Sequence, residues 1–340
     1  MTLQQQVRLM KKIDAVFEGG GVKGIGLVGA IAVVEEHGYT FENVAGTSAG
    51  AIVASLVAAG YKATELKQIL ESQDFNQFMD EAWEDKIPVV GKLLSLVHEK
   101  GIYEGKFFEA WIRNLLEAKG IFTFKDLIIE KNKDNPKYRY KLQVVASDLT
   151  SGRMLVLPRD SKIFGIDPDD LEVAQAVRMS MSLPFFFEPV QLKDPQEVTH
   201  FIVDGGVLSN YPIWLFDDGT SEPAWPTFGY SLVDPNQNQP HEVNGPISML
   251  KALFSTMMEA HDARYIESRN FVRTIPIPSM GVQTTDFSLS EQQKHELYDS
   301  GRRAAQEFLE TWDFEKYKQD FRAQQPPSRT KEVWVDIENS

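Results

Sequence analysis

The sequence contains no cysteine, which removes disulfides, thiolate zinc sites and cysteine nucleophiles together. Positive charge is scarce: 35 Lys and Arg stand against 49 Asp and Glu, leaving a net charge of −14. Neutralising phosphates needs a basic surface, so this balance argues against sequence-independent nucleic-acid binding and against purely electrostatic adhesion to anionic lipid. Long apolar runs are missing as well. The most apolar stretches, Ile25–Val34 and Ala49–Ala59, fall well short of the roughly 18 residues a membrane-spanning helix requires. Met1–Lys12 lacks the apolar centre of a secretory signal and reads as an arm before the first strand. Gly (23) and Pro (17) are ordinary in number and no repeat is present, so disordered and fibrous classes are set aside. What remains is an acidic, cytoplasmic, enzyme-sized chain of 340 residues, 42% apolar, read as one domain with embellishments.

The chain opens with a β-α-β-α rhythm. Ile13–Phe17 is β-rich and runs into Glu18 and three glycines. Gly24–His37 then carries Ile25, Val28, Ile31 and Val34 at helical spacing and stops at Gly38. Phe41–Ala45 predicts a second strand, and Ala49–Ala59 a small-residue helix closed by Gly60. Strand, tight glycine turn and buried helix, twice over, is how an α/β fold with a mainly parallel central sheet begins. Further helices are expected at Ala63–Glu71, Gly105–Lys119 and Glu172–Met181. Another starts at the N-cap Ser290, with Gln293 at capping-box spacing, and runs to about Leu309. Strands are expected at Leu142–Ala146, Met154–Leu157, Phe201–Val203 and Thr227–Val233. The polar segments 132–137, 217–226 and 234–246 read as surface loops.

Three constellations carry chemistry. Gly19-Gly20-Gly21-Val22-Lys23-Gly24 lies between the first strand and helix, where close backbone approach and the helix dipole favour negative charge. Gly19, Gly21 and Gly24 match the G-x-G-x-x-G dinucleotide fingerprint. That reading needs an acid at the end of the second strand, which instead ends in Ala45-Gly46, with Glu42 at the wrong end. A phosphate-binding P-loop fails for want of a Gly-Lys-Ser/Thr. An oxyanion hole built on the Gly20 and Gly21 N–H groups competes with a plain structural turn. Second, Gly46-Thr47-Ser48-Ala49-Gly50 is a G-x-S-x-G turn between predicted strand and helix, the context a strained nucleophile elbow requires. Third, Asp204-Gly205-Gly206 follows the strand Phe201–Val203 and offers a carboxylate able to approach another loop closely. Of the histidines, His37, His98 and His295 read as helix-end or polar-face residues, leaving His200 and His241 as loop candidates.

Taken in order, these three motifs resemble the patatin-like phospholipases, lipid acyl hydrolases. The segment Ala176–Pro184 with Phe187-Glu188-Pro189-Val190, together with Asn210, Pro212 and Gly101–Gly105, extends the likeness over about residues 13–310. The resemblance implies a three-layer α/β/α sandwich with residues 13–310 as the catalytic domain. Residues 1–12 would be an arm, and 311–340 a tail packed on or extending the domain. It implies Ser48 as nucleophile and Asp204 as proton acceptor of a Ser–Asp dyad without a catalytic histidine. Gly19–Gly24 would form the oxyanion hole, with no metal and no cofactor, and a lipid or ester as substrate at a transient membrane interface. A free carboxylate near pKa 4 is a weak base for serine, so such a site must be dry. Arg178 has two readings, a phosphate headgroup partner or a support for the Asp204 loop. Phe185-Phe186-Phe187 and Phe78–Val97 read either as an acyl channel or as core. Two other functions compete: an acyltransferase drawing on a thioester carrier, with a histidine base, and a dinucleotide-binding module on Gly19, Gly21 and Gly24.

Overall fold

The computed structural model describes residues 11–78, 105–184, 186–233, 271–282 and 288–323, with the single positions 243, 249, 252, 256, 284 and 286. These form a mixed α/β fold around one eight-stranded sheet. Its strands are β1 (Lys11–Phe17), β2 (Tyr39–Thr47), β3 (Leu142–Asp148), β4 (Arg153–Leu157), β5 (Val190–Lys193), β6 (Thr199–Asp204), β7 (Thr227–Val233) and β8 (Thr274–Pro278). The order is β5-β6-β3-β2-β1-β7-β8, with β4 also on β3. The middle is parallel, β1 pairing with β2 and β7, β2 with β3 and β7 with β8. The β3–β4, β3–β6 and β5–β6 pairs are antiparallel. Strand β3 is buried along its whole length, as a strand covered on both faces must be.

The helices are α1 (Gly24–Glu36), α2 (Ala49–Ala58), α3 (Ala63–Ser72), α4 (Lys106–Glu117), α5 (Val173–Ser180), α6 (Glu291–Thr311) and the short α7 (Phe314–Tyr317). Every residue of α2 is buried, which explains why its sequence has no polar stripe. Helix α6 starts at the expected capping box, Ser290 with Gln293. Helices α1 to α6 pack with Ile13, Ala15, Phe17, Val144, Phe228 and Ile275 into one apolar cluster on one face of the sheet. The other face carries Val16, Ala45 and Val156, covered by Tyr211 and by the 3-10 turn Ile213–Phe216. There Asp217 forms a buried ion pair with Arg273.

Strands β5 and β8 were not legible. Strand β5 is four residues long with alternating half exposure, and its pairing comes from a hairpin with β6. Strand β8 contains Pro276 and Pro278, which argue against a strand in sequence; here β8 pairs only with β7 among the described residues, an edge position that tolerates proline. Of the expected Phe78–Val97 stretch, Phe78 is buried and packs on Phe75, Phe108 and Trp111, a core position. The rest of it lies outside the described residues. Among the described residues, no helix is long and apolar enough to cross a membrane.

Candidate active site

The expected serine turn sits at the C-terminal end of β2. Ser48 has φ +54°, a left-handed backbone unusual for a residue with a side chain and costing about 1–3 kcal/mol. Gly50 makes the turn feasible, since a Cβ there would lie 2.2 Å from the Phe17 carbonyl oxygen. The serine caps α2, its carbonyl accepting from Ala51 N–H at 2.8 Å.

Sheet register brings the Asp-Gly-Gly turn to the same place. Strand β4 takes one edge of β3 over Val144–Asp148, so β2 and β6 share the other edge in succession. Thr47 is registered on Val145, and Asp204 on the next residue, Ala146. One strand arrives from each direction, and their C-terminal ends meet head to head where Ser48 and Asp204 emerge. Gly205 allows the meeting: a Cβ on it would stand 2.3 Å from Val145 O and 2.9 Å from Thr47 Cγ2.

The segment after α5 threads between the two. Ser48 N–H donates to Ser180 Oγ at 2.9 Å, and Ser180 Oγ donates to Val145 O at 2.6 Å. The Ser48 hydroxyl is directed to Met181 Sδ at 3.6 Å. Asp204 N–H donates to Ser182 O at 2.9 Å. Asp204 is fully buried; its Oδ1 accepts from Gly206 N–H at 2.8 Å, while Oδ2 has no hydrogen-bond partner. Burial pushes its carboxyl up to about 7, with the nearby Ser48 hydroxyl and the Gly206 N–H pulling the other way. A carboxylate near 7 is a far better acceptor for a hydroxyl proton than one near 4.

The glycine loop lies directly against the serine: a Cβ on Gly19 would come within 3.0 Å of Ser48 Cβ. Its hydrogen bonds divide the loop. Gly19 N–H donates to Asn210 O, Val22 N–H to Thr284 O, Lys23 N–H to Gly20 O and Gly24 N–H to Gly21 O. Among the described residues, the N–H groups of Gly20 and Gly21 have no acceptor. The expected six-residue cradle therefore narrows to two donors, because the others are used in holding the loop's own shape. Glu18 pins the loop from behind, Oε2 accepting from Leu232 N–H at 2.6 Å and Oε1 from Asn210 Nδ2 at 3.3 Å.

One expectation is corrected, and of the two readings of Arg178 one is favoured. His200 is not a loop residue; it lies in β6, with Nδ1 2.7 Å from Asp148 Oδ2 and Nε2 3.5 Å from Asp194 Oδ2. The hydrogen bond to Asp148 raises its pKa, so the imidazole is engaged away from Ser48. Arg178 is buried and its guanidinium donates to Ser182 Oγ and, at 3.0 Å, to Glu188 O, which fits its reading as a support for the segment before Asp204. His241 and His98 lie outside the described residues. His37 bonds Val33 O at the end of α1, and His295 sits exposed on α6. The roles of Ser180 and Glu18 escaped the sequence; a lone buried acid before three glycines was the available signal for Glu18. Among the described residues, no cluster of metal-ligating side chains is present.

A family model described as patatin-like phospholipase matches residues 15–217. The Bacillus subtilis protein YqhO is 43% identical over 303 residues, spanning 89% of this chain and 99% of its own. A probable lipid hydrolase of Invertebrate iridescent virus 6 is 26% identical over 200 residues, 58% of this chain and 61% of its own. Among solved structures, VipD from Legionella pneumophila has the same fold, with a TM-score of 0.50 at 19% identity, over 89% of this chain and 67% of that one.

Proposed function

Because the chain belongs to the patatin-like phospholipase family and is thereby a hydrolase of ester bonds, we propose that it cleaves acyl esters of phospholipids or lysophospholipids, with Ser48 as nucleophile and Asp204 as proton acceptor. One observation carries the reading: β2 and β6 end on successive residues of β3, so a strained serine and a dry carboxyl with a vacant oxygen share one spot.

Ser48 Oγ attacks the ester carbonyl carbon as its proton passes to Asp204 Oδ2. The carbonyl oxygen becomes an oxyanion and takes hydrogen bonds from the Gly20 and Gly21 N–H groups. The intermediate collapses to an acyl-serine, and Asp204 returns the proton to the departing alcohol or lysophospholipid. Water then attacks the acyl-serine carbonyl, gives its proton to Asp204, and releases the fatty acid; the proton returns to Ser48. No histidine is required.

The test is hydrolysis of a p-nitrophenyl acyl ester and then of phospholipid vesicles. Ser48→Ala and Asp204→Asn are each expected to lose about a thousandfold or more in kcat. Wild-type turnover by Ser48→Ala would overturn the proposal. Product profiles from a total lipid extract, active protein against Ser48→Ala, identify the acyl ester class.

A further inference from the structure

Strand β2 meets β3 in a parallel ladder, with Val44 N–H donating to Lys141 O at 2.8 Å. Rungs of such a ladder recur at every second residue. The register runs on from Val44 opposite Leu142 to Thr47 opposite Val145, so the same step would bring Ser48 N–H onto Val145 O. A hydroxyl takes the place of that rung. Ser48 N–H donates to Ser180 Oγ at 2.9 Å, and Ser180 Oγ donates to Val145 O at 2.6 Å. A serine oxygen can be spliced in this way because it accepts one bond and donates another. The splice falls where β3 exchanges β2 for β6, Asp204 being registered on Ala146. It lets the chain leave the sheet in the left-handed turn of Ser48, φ +54°, with neither backbone group orphaned. Ser180 ends α5 and is fully buried, so bulk water does not compete for these bonds. Two residues on, Ser182 O accepts Asp204 N–H at 2.9 Å, so one short segment grips a backbone group of each partner.

We propose that Ser180 is a positioning residue: its hydroxyl holds Ser48 in the left-handed turn and so keeps the serine oxygen beside the Asp204 carboxyl. This inference rests on the Ser48–Asp204 reading given above. Without the hydroxyl, Ser48 N–H and Val145 O lose their partners together. Closing the direct rung then satisfies both and relieves the backbone strain, at the cost of drawing Ser48 toward β3. The serine oxygen moves off the carboxyl. Asp204 thereby loses one of the two donors that oppose the effect of burial, the Ser48 hydroxyl, and keeps Gly206 N–H, so its pKa rises further. Among the described residues no charged side chain enters that balance.

The experiment measures kcat and KM for a p-nitrophenyl acyl ester on the full chain across the pH range, per serine titrated with a fluorophosphonate. Ser180→Thr keeps the hydroxyl, Ser180→Val has the threonine shape without it, and Ser180→Ala removes it outright. The alanine and valine variants are expected to lose about tenfold to a hundredfold in kcat with KM little changed. Their acidic limb of kcat/KM is expected to move to higher pH, and the threonine variant to keep the limb and most of the turnover of wild type. A valine variant that matches threonine in kcat overturns the inference, since position 180 is then a matter of volume. Alanine and valine variants with the wild-type limb also overturn it, since Ser48 has then not moved from Asp204. Should the threonine methyl prevent folding, Ser180→Cys against Ser180→Ala makes the same comparison, a thiol being a weak donor and acceptor. Ser48→Ala separates the layers: turnover by that variant ends the Ser48 reading, whereas an inert Ser48→Ala with no split between the Ser180 variants sinks the positioning role alone.

Discussion

Two buried carboxylates in this protein are handled in opposite ways. Asp217 meets Arg273 through both oxygens, at 2.5 and 2.8 Å, and Arg322 at 3.1 Å. Asp204, fully buried, has no cation beside it among the described residues, and its Oδ2 has no hydrogen-bond partner there. The first joins three segments distant in sequence: the turn after β6, the entry to β8 and the stretch beyond α7. The second holds almost nothing together. Burial is common to both, so burial does not decide whether a carboxylate staples a fold or can take a proton. Counter-charge does. Asp217 is held by two guanidinium groups, whereas burial pushes Asp204 up to about 7.

The sharpest way to break this comparison is to remove the counter-charge where it is present. Arg273→Met leaves a buried carboxylate short of its main partner and is expected to lower stability by about 3–5 kcal/mol, read from urea denaturation. Activity per folded molecule should stay near wild type, because Arg273 precedes β8 while Ser48 follows the C-terminal end of β2. The complementary change is Asp204→Asn. The Asp204 carboxyl holds its proton more tightly folded than unfolded, so its stabilising contribution is full below about pH 4 and is lost as pH rises to about 7. The asparagine variant is thus expected to match wild type in stability near pH 4 and exceed it by about 2–4 kcal/mol at pH 8, while losing turnover. A variant less stable than wild type at pH 8 would show that Asp204 also serves the fold.

Much of this was readable in the chain because it is local. The glycine turn, the serine turn and the strands beside them follow from residues adjacent in sequence, and the ends of β1, α1, α2 and β7 fall where periodicity put them. What stayed hidden depends on pairing at a distance. Nothing near Phe201 says that β6 abuts β2 along β3, and that register is what gathers the site. His200 was misread for the same reason: the β5 hairpin, Lys193 opposite Thr199, extends β6 back past the histidine. In the glycine loop, sequence pointed to the Gly20 and Gly21 amides, and what it could not show is the tie of Val22 N–H to Thr284, more than 250 residues away, and of Gly19 N–H to Asn210. Arg178 had two readings, and its burial with bonds to Ser182 and Glu188 favours the structural one.

The finest distinction sets Asp204 against Asp14 of β1. Asp14 is also buried and also pushed up to about 7, by burial first, with Asn43 hydrogen bonding opposing it. Its Oδ1 accepts from Asn43 N–H at 3.1 Å and Asn43 Nδ2 at 2.7 Å, and it borders a cavity of about 150 Å³ shared with Arg273 and Arg322. Both carboxyls drain stability over the same rise in pH, so a stability titration cannot tell them apart. Activity can. Of the two, Asp204 is the one beside Ser48, and once protonated it no longer accepts the Ser48 proton; kcat/KM is therefore expected to fall as pH drops through about 7. Asp14→Asn should flatten part of the stability slope and move that kinetic midpoint by less than about 0.3 units, since distant sites act independently. A midpoint that follows Asp14 instead would mean that the raised carboxyl governing turnover is the one beside the arginine cavity, and that the vacant oxygen of Asp204 is an accident of burial.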